Sequence, residues 1–342
     1  MFGFFRAYPS FQVFLTFVVA LALTIILMPL FIRLLKVRQI GQQVRADGPQ
    51  GHLIKQGTPT MGGIIILLVI TISIFIIDMP DARLLLVLAA TLLTGLFGFI
   101  DDISKVIKER SLGLKPYQKM IALTVISVGF CLIAVNFLGV EPTIIIPICN
   151  AEIDLGILCT TIGSFKIPWL YVFFVFLLMA GMANAVNLTD GIDGLAGGTV
   201  MIVMITMCGI AYVTSQLNLA IFSIAAAGAC LGFLWFNCYP AEIFMGDTGS
   251  LALGAAFAGL AVMTKTEFFS LIIGLIFIIE ALSVVIQVVH FKRTHRRVFL
   301  MAPLHHHYEQ KGHSETKVTM RFWIVTGLFA ALGFALFFVF SR

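Results

Sequence analysis

The sequence predicts an all-α polytopic membrane protein of about ten transmembrane helices, and two observations carry that expectation. Of its 342 residues, 60% are hydrophobic and only 11% charged, against roughly 25% charged in a soluble domain. Apolar stretches near the ~20 residues that cross a bilayer as helix also recur along the whole chain. The longest polar stretches, 36–60, 101–116 and 291–319, read as loops, so residues 1–342 are expected to form a single integral-membrane domain. No internal repeat or low-complexity tract interrupts the pattern.

The first apolar segment, 11–35, has only Arg6 before it. It is too long for a signal-peptide core and lacks a small-residue cleavage site, so it is expected to remain as a span. Segments 61–79, 82–100 and 117–139 follow, the second of them ending at Asp101-Asp102. After an outer loop come 168–186, 194–214, 218–236 and 248–264, the last marginal in length. Segment 268–290 holds one carboxylate, Glu280, in mid-span, where a polar partner or protonation and a structural role are expected. Segment 320–340 closes the set. In the 139–167 loop, β-branched Thr143–Cys149 and turn-prone Asn150 and Gly156 predict a small outer β-hairpin. Cys149 and Cys159 are candidates to brace it, and a compartment outside the cytosol permits a disulfide.

Charge sets the orientation. With ten spans and an N-out, C-out topology, 17 of the 22 Lys and Arg fall in inner loops, as the positive-inside rule demands. The six cysteines include no C-x-x-C and no Cys/His metal spacing. Cys131, Cys208 and Cys230 read as small packing residues within spans.

Five polar stretches then land on one, cytoplasmic, side: KQGTPTMGG (Lys55–Gly63), DDISK (Asp101–Lys105), NAVNLTDGIDGLAGG (Asn184–Gly198), NCYPAEIFMGDTGS (Asn237–Ser250) and APLHHHYE (Ala302–Glu309). Their convergence predicts one composite site. Three of them precede spans running inside to outside and so present helix N-termini to the cytosol, where free N–H groups and the dipole favour phosphate. Thr58 before Pro59 is a candidate cap, as are Asp193 and Asp247 at the starts of their helices.

Asp101 and Asp102 sit instead at a helix C-terminus, which disfavours carboxylates. Either Lys105, an i,i+4 partner of Asp101, or a divalent cation compensates them. Adjacent helical residues diverge by about 100°, so the two carboxylates are expected to take different roles. Oxygen ligands without cysteine suit Mg²⁺, which keeps waters and shares substrate phosphates. His305, His306 and His307 are consecutive and so poorly placed to share one metal; hydrogen bonding to an anionic or sugar group suits them better.

Together GTPTMGG, DD, NAVNLTDGIDGLAGG, FMGDTGSLALG and APLHHHYE resemble the phospho-N-acetylmuramoyl-pentapeptide-transferases, in order from about Gly41 to Gly312. The resemblance implies a homodimer in the bacterial plasma membrane that depends on Mg²⁺. Its substrates would be UDP-MurNAc-pentapeptide and undecaprenyl phosphate, its products lipid I and UMP, with no nucleic-acid partner. It implies Asp101 and Asp102 as active-site carboxylates and Asp247 as the Mg²⁺ ligand, with Asp101 and Asp102 as further metal candidates. Lys55 and Lys119 would meet phosphates, and His305, His306 and His307 would be needed for activity. Asn187, Asp190, Asp193, Asn237 and Phe244 would form the nucleoside pocket, Phe244 stacking on uracil, with Thr58 and Thr60 beside the substrate. Tyr308 stands where the family more usually has Phe.

The chemistry agrees, because transfer between phosphates needs positioning and charge neutralisation more than covalent work. Asp101 is the candidate base for in-line attack, and an aspartyl-phosphate route is the alternative. A related transferase moving GlcNAc-1-phosphate from a UDP-sugar to a polyprenyl phosphate would share the aspartates. The APLHHHYE stretch favours the muramoyl-pentapeptide enzyme. A cation or proton transporter is disfavoured, since the carboxylates cluster at one face and only Glu280 lies clearly mid-span.

Overall fold

In the computed structural model, residues 8–38, 40–41, 57–108, 113–146 and 151–340 are described. Helix α1 (Pro9–Val37) opens on a proline, whose missing N–H costs nothing at a first turn. It is followed by α2 (Gly63–Ile77), α3 (Ala82–Ile107) and α4 (Pro116–Phe137). Asp81 caps α3 by accepting from Leu84 N at 2.8 Å, and Gln118 caps α4 by accepting from Lys115 N at 2.9 Å. After four short strands come α5 (Trp169–Thr189), α6 (Leu195–Val213), α7 (Leu217–Asn237) and α8 (Gly246–Met263). The chain ends with α9 (Glu267–Ile273), α10 (Leu275–Thr294), α11 (Leu304–Gln310) and α12 (Glu315–Phe340).

Among the described residues, nine helices are long and apolar enough to span a membrane, and α2 is a shorter apolar helix of 15 residues. At 1.5 Å per residue α2 is roughly 22 Å long, less than the ~30 Å hydrocarbon core. It is shorter than the predicted 61–79 because the residues before it pair with another segment. Gly62 N donates to Phe244 O at 2.8 Å, Gly63 N to Met245 O at 2.9 Å, and Phe244 N to Pro59 O at 2.8 Å. Thr58 is therefore not the cap of α2, which begins at Gly63 with Gly62 before it. The predicted span at 268–290 is likewise two helices, α9 and α10, meeting at Gly274.

Helix α8 is the axis of the bundle, buried at every residue from Thr248 to Met263 and packed on α3, α5 and α2. Its glycines and alanines make this possible, because small residues let helix backbones approach closely. A Cβ on Gly254 would stand 2.6 Å from the α-carbon of Ala183 in α5, and one on Gly63 would collide with the backbone of Gly249.

Between α4 and α5, β1 (Thr143–Ile146) pairs antiparallel with β2 (Ala151–Asp154), and β3 (Cys159–Ile162) with β4 (Phe165–Pro168). Two strand pairs thus stand where one hairpin was expected. Cys159 carries a free thiol, which speaks against the candidate brace, and Cys149 lies outside the described residues. Cys131, Cys208 and Cys230 are buried packing residues as expected.

Candidate active site

Three carboxylates converge where α3 meets the start of α8. One oxygen from each of Asp101, Asp102 and Asp247 lies within 4.8 Å of the others. Helix α3 runs six residues past Asp101 to Ile107, further than the predicted 82–100, so both aspartates lie inside the helix rather than at its end. The crossing is tight because Gly98 of α3 has no side chain: a Cβ there would run into Asp247 O.

The adjacent aspartates do diverge in role. Asp102 turns to the N-terminus of α8, where its Oδ1 accepts from Asp247 N at 3.1 Å and its Oδ2 from Thr248 N at 2.9 Å and Thr248 Oγ1 at 2.7 Å. Free N–H groups and the positive dipole end of α8 thereby compensate it. Gly246, at φ 75°, makes room, since a Cβ there would stand 2.6 Å from Asp102 Oδ2. Asp247 itself does not cap its own helix.

Asp101 turns the other way. Its Oδ1 accepts from Leu114 N at 2.6 Å, and its Oδ2 lies 2.8 Å from Lys105 Nζ and 3.0 Å from Lys119 Nζ. Both lysines bridge to Asp247, Lys105 at 3.1 Å from Oδ1 and Lys119 at 2.6 Å from Oδ2. Lys105 also lies 3.6 Å from Asp102 Oδ1. The i,i+4 pair read from the sequence is thus one edge of a cluster of three carboxylates and two ammonium groups. Asn187, near the end of α5, completes it by donating to Asp247 Oδ1 at 3.0 Å and Ser250 Oγ at 2.8 Å.

The remaining predicted residues surround this cluster unevenly. Asp193 and Asn237 are buried and direct their side chains to backbone. Asp193 Oδ2 accepts from Ala241 N at 2.9 Å, while Asn237 accepts from Gly194 N at 3.0 Å and donates to Ile243 O at 2.8 Å. They fasten the start of α6 to the loop leading to α8. Asp190, just past α5, is half-buried. Burial and the charges of Asp247, Asp102 and Asp193 push its carboxyl up to about 8, with Lys105 opposing. Phe244 is half-buried in the paired strand-like segment, Thr60 is buried and Thr58 partly so. Lys55 lies outside the described residues.

The histidine run forms α11, and α10 holds the segment before it. Gln287 Oε1 accepts from Val298 N and Phe299 N, both at 3.0 Å. Seven residues earlier, Glu280 receives His305 at both of its oxygens, backbone N at 3.1 Å and Nδ1 at 3.2 Å. Glu280 is therefore not a remote mid-membrane carboxylate, because the loop folds back along α10 to meet it. His306 Nδ1 lies 2.6 Å from Glu309 Oε2, and His307 Nδ1 accepts from Leu300 N at 3.1 Å. Sequence reasoning expected a structural role and a polar partner for Glu280 without identifying His305, and it did not single out Gln287 here or Ser250 beside Asn187. The i,i+7 spacing of Glu280 and Gln287, two polar residues on one face of an apolar helix, was the available signal.

Known proteins bear on this arrangement. Residues 84–265 match the model of glycosyl transferase family 4, and residues 55–67 match phospho-N-acetylmuramoyl-pentapeptide-transferase signature 1. A phospho-N-acetylmuramoyl-pentapeptide-transferase of Rubrobacter xylanophilus is 45% identical over 333 residues, 96% of this chain and 98% of the relative. The chain belongs to this family. Two further phospho-N-acetylmuramoyl-pentapeptide-transferases agree: that of Desulfitobacterium hafniense at 44% over 94% of this chain and 96% of its own, and that of Halalkalibacterium halodurans at 45% over 93% and 95%. Membership of the phospho-N-acetylmuramoyl-pentapeptide-transferases and the apolar helices together make this a multi-pass membrane protein. The GlcNAc-1-phosphate transferase alternative is not favoured, since the matched signature carries the muramoyl-pentapeptide name.

Proposed function

We propose that this chain transfers phospho-MurNAc-pentapeptide from UDP-MurNAc-pentapeptide to undecaprenyl phosphate, giving lipid I and UMP at the cytoplasmic face of the bacterial plasma membrane. The observation that carries the reading is the cluster of Asp101, Asp102 and Asp247 with Lys105 and Lys119, in a chain 45% identical over 96% of its length to a transferase of that name. In the reaction an oxygen of the lipid phosphate bonds to the sugar-linked phosphorus, the pyrophosphate bond breaks, and UMP leaves. Lys119 and Lys105 neutralise the phosphates, and Asp101 takes the acceptor's proton.

The donor set fits Mg²⁺, since it is made of carboxylate oxygens with no sulfur and no converging imidazoles. Asp247 would hold the ion, because its oxygens face exchangeable lysines, whereas those of Asp102 are engaged by the backbone of α8 and the free oxygen of Asp101 is left for the acceptor's proton. Bound there, Mg²⁺ would supply charge neutralisation of the pyrophosphate. For the lipid, an apolar cavity of about 410 Å³ lies between α10, α11 and α12, lined by Ile276, Leu304, Phe322 and Val325 with Arg321 and His313. Such a lining suits an isoprenoid chain with an anionic head. The proposed enzyme is a homodimer with its N- and C-termini outside.

The test is radiolabelled UDP-MurNAc-pentapeptide with undecaprenyl phosphate, with and without Mg²⁺, and UDP-GlcNAc in parallel. Lipid-linked label from the first substrate alone, lost in EDTA, is the expected result. Transfer from UDP-GlcNAc alone would replace the reading with the related one.

A further inference from the structure

We infer that Glu280 is a positioning residue that fixes the tautomer of His305 and, through it, braces the turn that carries Asp190. A carboxylate only accepts hydrogen bonds, so the 3.2 Å contact obliges His305 Nδ1 to donate. The neutral ring then bears its lone pair at Nε2. That nitrogen is buried and without a hydrogen-bond partner among the described residues, and it packs directly on Gly191, where any Cβ would collide with it. A bare nitrogen tolerates a glycine methylene; an N–H group held there would be a buried donor with no acceptor, the costlier state. Glu280 and His305 are both fully buried, and the second Glu280 oxygen takes His305 N at 3.1 Å, so the ring is held by backbone and side chain together. The strut runs from α10 through the imidazole to Gly191, next to Asp190. It rests on the proposed function only in that Asp190 is placed in the nucleoside pocket.

The deciding substitution is Glu280→Gln, which keeps the shape and one acceptor but turns an amide donor toward Nδ1. The proton must then move to Nε2, against Gly191. In detergent-solubilised full-length protein with ¹⁵N-labelled histidine, the His305 signals are identified by their loss in His305→Asn. Wild type is expected to show Nε2 unprotonated, and Glu280→Gln is expected to show it protonated. Calorimetric binding of UDP-MurNAc-pentapeptide is expected to weaken about tenfold in Glu280→Gln, with KM for polyprenyl phosphate within twofold and Glu280→Asp partly restoring affinity. A protonated Nε2 in the wild type, or unchanged nucleotide affinity in Glu280→Gln, would overturn the inference. Absence of transfer by a wild type whose His305 tautomer is as stated would count against the proposed reaction instead, because the spectroscopic readout does not depend on turnover.

Discussion

The carboxylate of Asp102 caps the helix that carries Asp247, taking the N–H groups of Asp247 and Thr248 on separate oxygens at 3.1 and 2.9 Å. One aspartate of the pair thus sets the backbone from which the opposing carboxylate projects. Loss of the cap is expected to cost stability even without metal. Asp102→Ala should destabilise the protein by about 1–3 kcal/mol, the penalty for leaving buried donors unpaired. Asp102→Asn should cost less, since one acceptor survives. Thermal unfolding in EDTA checks this: an Asp102→Ala variant with unchanged Tm would remove the cap from the account.

Asp247→Asn is expected to reduce transfer by a factor of about 10²–10³ or to abolish it, while the protein remains folded in detergent. Asp247 meets Lys105, Lys119 and Asn187 and caps nothing in its own helix, so its charge serves the site rather than the fold. Near wild-type turnover in this variant would sink the assignment of Asp247 as a metal-holding carboxylate.

Phe244→Ala should weaken the UDP-linked substrate and spare the lipid. Its backbone is fixed by Pro59 and Gly62 while its ring stays half-buried, and removing a ring stacked on a base costs about 1–3 kcal/mol. Calorimetric titration with UDP-MurNAc-pentapeptide measures it, and equal affinity for both proteins would move the uracil pocket elsewhere.

Asp190 gives a pH dependence with a defined sign. Its carboxyl is raised from 3.8 to about 8 in the folded chain, so the native state binds a proton that the unfolded state releases. Its contribution to stability is therefore full below about pH 4 and is lost as pH rises toward 8. Between pH 6 and 9 in EDTA, Tm of the wild type is expected to fall by a few degrees more than that of Asp190→Asn, which is neutral throughout. Parallel curves for the two proteins would contradict it.

Much of this was legible in the sequence because the bilayer constrains it: apolar length alone located the nine helices long enough to span among the described residues, although α2 proved shorter than a span. The divergence of Asp101 and Asp102 followed from helical geometry alone. The sequence did not disclose which partner each would choose, since Leu114 N reaches Asp101 beside Gly113 and the first turn of α8 reaches Asp102 through Gly98 and Gly246. The start of α2 was misplaced because a Thr-Pro pair reads locally as a helix opening. The true start depends on pairing with Phe244 and Met245, which no local pattern encodes. Glu280 was expected to find a polar partner, but which one was not legible for the same reason: His305 lies 25 residues later, on a loop that doubles back.

The pairing of Pro59, Gly62 and Gly63 with Phe244 and Met245 also bears on how the protein is made. Chains emerge from the ribosome N-terminus first, so the Gly62 and Gly63 amides leave it some 180 residues of synthesis before their carbonyl partners exist. During that interval these groups need another partner, because a backbone N–H left unpaired away from water is costly. A truncated product ending before Gly246 would carry Asp101, Asp102, Lys105 and Lys119 but lack Asp247, so the carboxylate cluster is completed only once α8 is made.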